Sequence, residues 1–214
     1  KIKLNDNDKN SQDYNALKIY QDLLEFRLKD KVNVDALADA DLKRLQFVKE
    51  HYYNKDENET IYFDALQRIK TEYAKCNTAA TINYNIANYI NQKAQDKNVM
   101  NTFKVKDAIV ICEETIKNYP ETEGAKNCAA LKVEINHKEL SVTTEETVVP
   151  NEAFKVLVNY KNIGKVYFKI VPISYKEKDN IFLLKNKETQ DNILKRLNAI
   201  KATKTWSQFM PYTD

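Results

Sequence analysis

Apolar residues recur at three- and four-residue steps through the N-terminal part of the chain, which is the period of an amphipathic α-helix. The clearest stripe covers residues 108–119 and stops at Pro120, which cannot extend a helix because it has no N–H and its ring clashes with the preceding turn. A second stripe starts at Ala125, so the pattern predicts an antiparallel helical hairpin. We expect the small residues Ala125, Ala129 and Ala130 to let its two backbones approach closely.

Four more helices are predicted before this hairpin, separated by polar breaks. The helical stripes cover residues 14–29, 35–52, 61–73 and 79–90, and the breaks include 54–59 and 95–101. Asp35 and Asp39 are the candidate N-terminal caps of the second helix, because a short side-chain acceptor there binds the free N–H groups of the first turn.

The hydrophobic period changes from 3.6 to 2 at residues 136–140, which indicates the start of a β-rich half. Strands are predicted at 140–144, 147–149, 153–160 and 165–173, a helix at 188–202, and a further extended segment at 203–209. Strands of this length with few turns are typical of an immunoglobulin-like sandwich, here with an inserted helix. A complete sandwich has about seven strands. We therefore expect a truncated one, whose open edge another chain or a symmetry mate must cover.

The predicted fold class is α+β, with a helical-repeat bundle at residues 1–137 and a partial β-sandwich at residues 138–214. The composition agrees with a helix-rich globular protein. Gly occurs only 2 times and Pro 4 times in 214 residues, so tight turns with positive φ are few.

Charge and hydropathy argue against two classes of partner. The net charge is only +3, and residues 138–214 carry 13 basic against 9 acidic residues, so no concentrated basic face is evident for nucleic acid. No apolar run reaches the roughly 18–20 residues that span a bilayer. The chain begins at Lys1 without a Met, so we expect a processed chain or a part of a longer protein.

The sequence predicts no catalytic, cofactor-binding or metal-binding residues. His51 and His137 are the only histidines, and neither has Cys or carboxylate neighbours at zinc-ligand spacing. No serine lies in a nucleophile elbow, and no glycine-rich loop exists to hold a phosphate. Trp206 either joins Phe209 and Tyr212 in a patch for a sugar or a protein partner or, in the favoured interpretation, lies in the core of the sheet.

Two cysteines face each other across the predicted hairpin. Cys112 lies eight residues before Pro120 and Cys128 eight residues after it, so both occupy similar heights on stripes that face inward. Such a pair can approach the roughly 4.4–6.8 Å Cα separation of a disulfide. Buried free cysteines are common, however, and behave as small apolar residues. The favoured prediction is therefore reduced, packed thiols, with a Cys112–Cys128 disulfide as the alternative.

Residues 79–130 resemble a degenerate pair of tetratricopeptide repeats. The resemblance rests on Ala87 and Tyr89 in one helix, Ala108 and Ile109 in the next, and Tyr119-Pro120 at its end. The Trp and the Leu-Gly of the usual pattern are missing, so the peptide groove of such repeats is not carried over. An ordinary helical bundle is the alternative architecture.

Most of the chain also resembles the N-terminal region of large bacterial α2-macroglobulin-like proteins, in which helical repeats precede a string of macroglobulin β-sandwich domains. The resemblance rests on a turn at 150–152 that leads into residues 154–172, on helices that end in Tyr119-Pro120 and Cys128-Ala-Ala-Leu131, and on the closing segment 197–212. It implies a macroglobulin-type β-sandwich in the second half.

The same resemblance implies a non-enzymatic structural and protein-interaction segment of an envelope protein that traps or inhibits proteases. The implied partners are a protein or other domains of the same chain, and proteases through the full-length protein. The implied location is the periplasm or cell surface, with a membrane anchor in a part outside this chain. In some members a Cys-x-x-Gln motif forms a thioester. Cys76, Cys112 and Cys128 all lack that Gln, so no thioester is expected here.

The alternative function is a stand-alone helical-repeat adaptor that binds a peptide or a surface polysaccharide-handling partner. An enzyme is not expected, because no convergent set of reactive side chains can be recognised in the sequence. Neither function requires a cofactor.

Overall fold

The computed structural model describes residues 10–29, 33–53, 55–96, 103–145, 147–149, 152–184 and 190–211. The chain divides into two compact units, a helical unit that ends at Asn136 and a β unit that begins at His137. The α+β fold class is confirmed.

The helical unit contains six helices: α1 Gln12–Lys29, α2 Val34–His51, α3 Lys55–Glu72, α4 Thr78–Gln95, α5 Val105–Asn118 and α6 Glu123–Asn136. Each helix packs on its neighbour in the sequence, and α4 also packs on α2 and α6. None of the helices in the described ranges is both long enough and apolar enough to cross a membrane. The tetratricopeptide character of the helical pairs stays a prediction.

One contiguous apolar core holds this unit together. Helix α4 lies at its centre and contributes Ile82 and Ile86, both fully buried. The remaining members come from α2 to α6 and from the connection between α3 and α4: Ala38, Leu42, Leu45, Tyr62, Leu66, Ile69, Tyr73, Cys76, Ala87, Tyr89, Ile90, Ala108, Cys112, Cys128, Leu131 and Ile135. Burial of each large aliphatic side chain contributes about 1.5–3 kcal/mol.

Side chains at the helix ends bind backbone groups of neighbouring helices. Asn33 caps α2, because its Oδ1 accepts the N–H of Ala36 at 3.0 Å. The carboxylate of Asp35 instead accepts the N–H of Thr78 at the start of α4, at 2.7 Å. The prediction that Asp35 or Asp39 caps α2 is therefore wrong. The side chain of Asn77, which precedes α4, makes no capping hydrogen bond. Asp35 of α2 takes this role and thereby joins the two helices.

A close backbone approach between α6 and α4 is made at Gly124 and not at the predicted alanines. A Cβ on Gly124 would lie 2.5 Å from the carbonyl oxygen of Ala80 and overlap its carbonyl carbon, so α6 meets α4 at this point. Ala125 is buried as expected, but Ala129 and Ala130 are exposed. A run of small residues shows that close packing is possible and does not show which face packs.

Helix α3 begins at Lys55, so the polar break predicted at 54–59 is wrong. Its Asn58 is buried and donates from Nδ2 to the carbonyl of Lys49, in the last turn of α2, at 2.5 Å. A polar side chain in this segment therefore satisfies a carbonyl that the end of α2 leaves free. The break predicted at 95–101 begins where α4 ends, and most of it lies outside the described residues.

The β unit contains β1 Glu139–Thr144, β2 Val156–Lys161, β3 Lys165–Ile170, α7 Tyr175–Leu184, α8 Gln190–Ala199 and β4 Lys204–Phe209. β1 pairs with β2 and β3 pairs with β4, both antiparallel, in two separate two-stranded sheets. The chain passes from one sheet to the other at residues 162–164, where Asn162 adopts a φ of 56°. Asn tolerates this left-handed conformation better than most residues.

The inserted helix and the strand at 203–209 appear as α8 and β4. The strand expected at 147–149 is not formed. Helix α7 was not predicted, although Ser174 and Glu177 form a capping box. The Ser174 N–H donates to the Glu177 carboxylate at 2.8 Å, and the Glu177 N–H donates to the Ser174 hydroxyl at 3.2 Å. The packing of the two sheets face to face around a common core, as in a sandwich, stays a prediction.

Candidate interaction surface

The two histidines occupy structural positions. The ring of His51 stacks on Phe47 with centroids 4.0 Å apart, and its Nδ1 lies 2.9 Å from the Phe47 carbonyl. The carbonyl of His137 accepts the Nδ2–H of Asn162 at 2.9 Å. Within the described ranges, no three or more His, Cys, Asp or Glu side chains are placed to hold a metal ion.

The three cysteines are buried free thiols, as the favoured prediction has them. Cys76 follows α3, and its Sγ lies 3.2 Å from the carbonyl of Tyr73. Burial raises the pKa of Cys76, which lowers the share of this thiol that is present as the nucleophilic thiolate. Cys112 and Cys128 belong to the core between α5 and α6.

A cleft of about 650 Å³ lies where the N-termini of α2, α4 and α6 meet. Asp35, Asp39, Glu121 and Glu123 give it an acidic lining. Two of these carboxylates have protein partners, since Asp35 binds Thr78 and Asp39 forms an ion pair with Lys43 at 2.9 Å. Asp35 and Asp39 therefore already have structural roles at the helix ends.

The first sheet of the β unit has one apolar face. The antiparallel register places Leu140, Val142 and Thr144 opposite Tyr160, Val158 and Val156. Leu140 and Val142 remain 48% and 49% exposed, and the three β2 residues are partly buried. Cross-strand apolar pairs of this kind stabilise a sheet when a second layer covers them. Within the described residues this face is only partly covered.

The second sheet carries aromatic side chains on both faces. On one face Val166 is buried, and Phe168 stacks on its cross-strand partner Trp206 with ring centroids 4.9 Å apart. The opposite face carries Tyr167 and Phe209, which are 75% and 67% exposed. Side chains alternate between the two faces of a strand, so Trp206 and Phe209 point in opposite directions.

This geometry corrects both interpretations of Trp206. The indole is 39% exposed, so it is not in a closed sheet core. It also shares no face with Phe209, so the predicted patch of these aromatic residues does not form, and Tyr212 lies outside the described residues. The surface that does form is the Phe168–Trp206 stack, with the ammonium of Lys204 5.7 Å from the indole centroid.

Every strand of the β unit is an edge strand in the described structure, because each has one partner. Tyr160 of β2 links the two sheets, because its hydroxyl donates to the carbonyl of Pro211, just after β4, at 2.7 Å. Edge strands present free N–H and C=O groups that a further strand can pair with. We call the four strands and their exposed apolar side chains the β surface.

Comparisons of the chain with family models, with curated proteins and with solved structures find no match. The function is therefore argued from the residues and their geometry.

The sequence predicts the strands of the β surface but not its exposure. Alternation in β2 and β3 shows which residues share a face, whereas only the paired structure shows that those faces lack a covering layer. One signal was available in the sequence: the small number of strands between residues 138 and 214.

Proposed function

We propose that this chain is a non-enzymatic structural and protein-interaction segment of a larger protein, in which the β surface docks on a protein partner or on another domain of the same chain. The observation that carries the proposal is the combination of exposed apolar faces with unpaired strand edges. Soluble proteins rarely expose contiguous apolar patches beyond a few hundred Å² unless something binds there.

Strand pairing is the mode of docking that fits the β surface. An added strand would bind the free backbone groups of an edge and give affinity, while its alternate side chains would contact the apolar face and give specificity. Leu140 and Val142 on β1 offer such a face next to an edge.

The resemblance to α2-macroglobulin-like proteins suggests where such a partner comes from. In that setting the covering strands belong to the following macroglobulin domain, and the whole protein is an envelope protein that traps or inhibits proteases at the periplasm or cell surface. The exposed β surface supports this setting because its open strand edges and apolar faces can take strands from outside the unit.

Reading the gene beyond the codon for Asp214 tests this proposal first. Further β-sandwich domains support it, whereas a stop codon at that point contradicts it and favours the stand-alone adaptor. The second step is to produce this chain together with the downstream segment and to measure amide hydrogen exchange. We expect slower exchange in β1 and β4 than in this chain alone.

A matched pair of variants sharpens the exchange measurement. Val142→Lys places a charge on the apolar face of β1 and should remove the added protection. Ser141→Lys places the same charge on the opposite face and should keep it, because side chains alternate along a strand. If Val142→Lys and Ser141→Lys lose the added exchange protection equally, the apolar face is not the docking site.

A further inference from the structure

The acidic and basic residues of the β unit are segregated along the chain. Residues 153–176 and 192–213, which contain β2, β3 and β4, carry nine basic residues and no acidic residue. The first strand, β1, instead contains Glu139 and is followed by Glu145. The small positive surplus of residues 138–214 therefore conceals a second sheet whose charged residues are all lysines.

One face of the second sheet is both basic and aromatic. Lys165 and Lys169 lie on this face of β3, with Tyr167 between them, and all three side chains are exposed. The ammonium of Lys165 lies 4.9 Å from the centroid of the Tyr167 ring. The ammonium of Lys169 donates to the carbonyl of Asn198, near the end of α8, at 2.8 Å. The face thus presents two cations on either side of an exposed ring.

The backbone groups of the same three residues point to the free edge of β3. The pairing of β3 with β4 continues at Gly164, whose carbonyl accepts the N–H of Met210 at 3.0 Å. Backbone groups of successive residues point to opposite edges of a strand. The even-numbered residues of β3 therefore face β4, and the odd-numbered ones face the other edge, where the described residues supply no further strand.

We propose that the free edge of β3 binds an extended acidic segment of the docked polypeptide, which adds a strand to the second sheet. The added strand carries two carboxylates four residues apart and an apolar residue midway between them. This inference rests on the proposed function, because it takes strand pairing on the β surface as the mode of docking and adds the chemistry of the partner.

The spacing of the lysines sets the spacing of the carboxylates. Lys165 and Lys169 are four residues apart, or roughly 13 Å along the strand. Side chains directly opposite each other on neighbouring strands have Cβ atoms about 4.5–5.5 Å apart, so each carboxylate of the added strand would meet one lysine. The residue midway would pack on Tyr167. Opposite charges across strands stabilise a sheet and like charges destabilise it, so this edge favours an acidic strand over a basic one.

The test is an NMR titration of the full ¹⁵N-labelled chain with the blocked peptide Thr-Thr-Glu-Thr-Val-Thr-Glu-Thr-Thr. This sequence is the same in both directions, so parallel and antiparallel addition both place Glu opposite the two lysines. We expect amide shifts centred on residues 165–169 and an affinity about 2- to 30-fold higher than that of the same peptide with Gln in place of Glu. A version with Lys in place of Glu should bind more weakly than the Gln peptide, and added salt should reduce the difference among the three.

Two matched variants test the face. Lys165→Glu replaces one attractive pair by a repulsive one, so the variant should bind the Glu peptide about as weakly as the unchanged chain binds the Gln peptide. Lys204→Glu makes the same change of charge on the opposite face of the sheet and should keep the affinity within about twofold. If Lys165→Glu does not fold, the three peptides on the unchanged chain decide.

Three results would overturn the inference: equal affinity for the Glu and Gln peptides, shifts centred on another strand, or tighter binding of oligothymidine than of the Glu peptide at β3. Failure here is distinct from failure of the proposed function. If the downstream segment protects the β surface while Glu gives no advantage over Gln, docking stands and its acidic selectivity is wrong.

Discussion

The helical unit buries eighteen apolar residues in one cluster, whereas the described part of the β unit buries two, Val166 and Met210. Both regions are rich in apolar residues, so composition does not explain the difference. A helix forms its backbone hydrogen bonds internally and needs neighbours only for its apolar stripe. A two-stranded sheet leaves two edges and two faces open, and it is marginally stable without a third strand or a second layer. The helices α2–α6 thus bury a common apolar core, whereas the described β unit leaves most of its apolar side chains exposed.

The largest expected effect comes from opening the helical core. Ile82→Ala removes a fully buried side chain at the centre of α4 and should lower the free energy of unfolding of the helical unit by about 4 kcal/mol. Val166→Ala removes less apolar surface from the β unit and should cost about 1.5 kcal/mol there. Hydrogen exchange resolved by peptide measures the two units separately.

This pair of variants also tests whether the units fold independently. If they do, Ile82→Ala leaves exchange protection in the β strands unchanged, and Val166→Ala leaves it unchanged in α4. Equal loss of protection in both units from either variant would show one cooperative domain and contradict the predicted division at residue 137.

A second large effect is expected at Gly124, where the backbones of α4 and α6 approach closely. Helix propensity alone would make Gly124→Ala stabilising by about 0.5–1 kcal/mol. The added methyl group would instead overlap the backbone of Ala80, so we expect a loss of about 3 kcal/mol in urea unfolding. Ala130→Ser on the exposed face of the same helix is the control and should change stability by less than about 0.5 kcal/mol. A stabilised Gly124→Ala variant would show that the two helices are further apart.

Gly124 also illustrates how far the sequence predicts this fold. The period of apolar residues and Pro120 locate α5 and α6, because burial and backbone chemistry act locally on those positions. Which small residue meets another helix depends on the rotation of α6 about its axis, and neighbouring residues in the sequence do not determine that rotation. The prediction that Ala129 and Ala130 lie on the packed face of α6 is therefore wrong.

The missed elements have similar explanations. The segment that starts α3 is polar, yet Asn58 is buried because it binds a carbonyl at the end of α2, which is a tertiary contact. Helix α7 was predictable, since Ser174 and Glu177 have the spacing of a capping box. The β surface was predicted as an open edge, but its exposed faces depend on strand pairing that no local pattern shows.

An intermediate effect, with a pH dependence, is expected at Asp35. Burial of its carboxyl acts to raise the pKa, but hydrogen bonds from the backbone and hydroxyl of Thr78 outweigh burial and hold the pKa below its ordinary value. A carboxyl whose folded pKa is lowered contributes stability above its unfolded pKa of about 3.9 and loses that contribution as the pH falls through the folded value.

Asp35→Asn should therefore destabilise the helical unit by about 1 kcal/mol at pH 7, and the difference should shrink below about pH 4. Urea unfolding at pH 7 and at pH 3 measures this change. Asp39→Asn is the matched control, because its ion pair with Lys43 is exposed and contributes less than about 0.5 kcal/mol. If Asp35→Asn lowers the free energy of unfolding by the same amount at pH 7 and at pH 3, the charge of Asp35 has no role in capping α4.

The smallest effect on stability is expected on the β surface. Val142 is 49% exposed on the apolar face of β1, so Val142→Lys should change the free energy of unfolding by less than about 0.5 kcal/mol. The same change interrupts an exposed apolar patch, so it should lower the fluorescence of a dye that binds apolar surface and reduce self-association at high protein concentration. Ser141→Lys adds the same charge to the opposite face of β1 and should leave dye binding unchanged. If instead Val142→Lys destabilises the β unit by 2 kcal/mol or more, as expected for a buried site, the face of β1 is covered within this chain, and the contrast between a buried helical core and an exposed β surface is wrong.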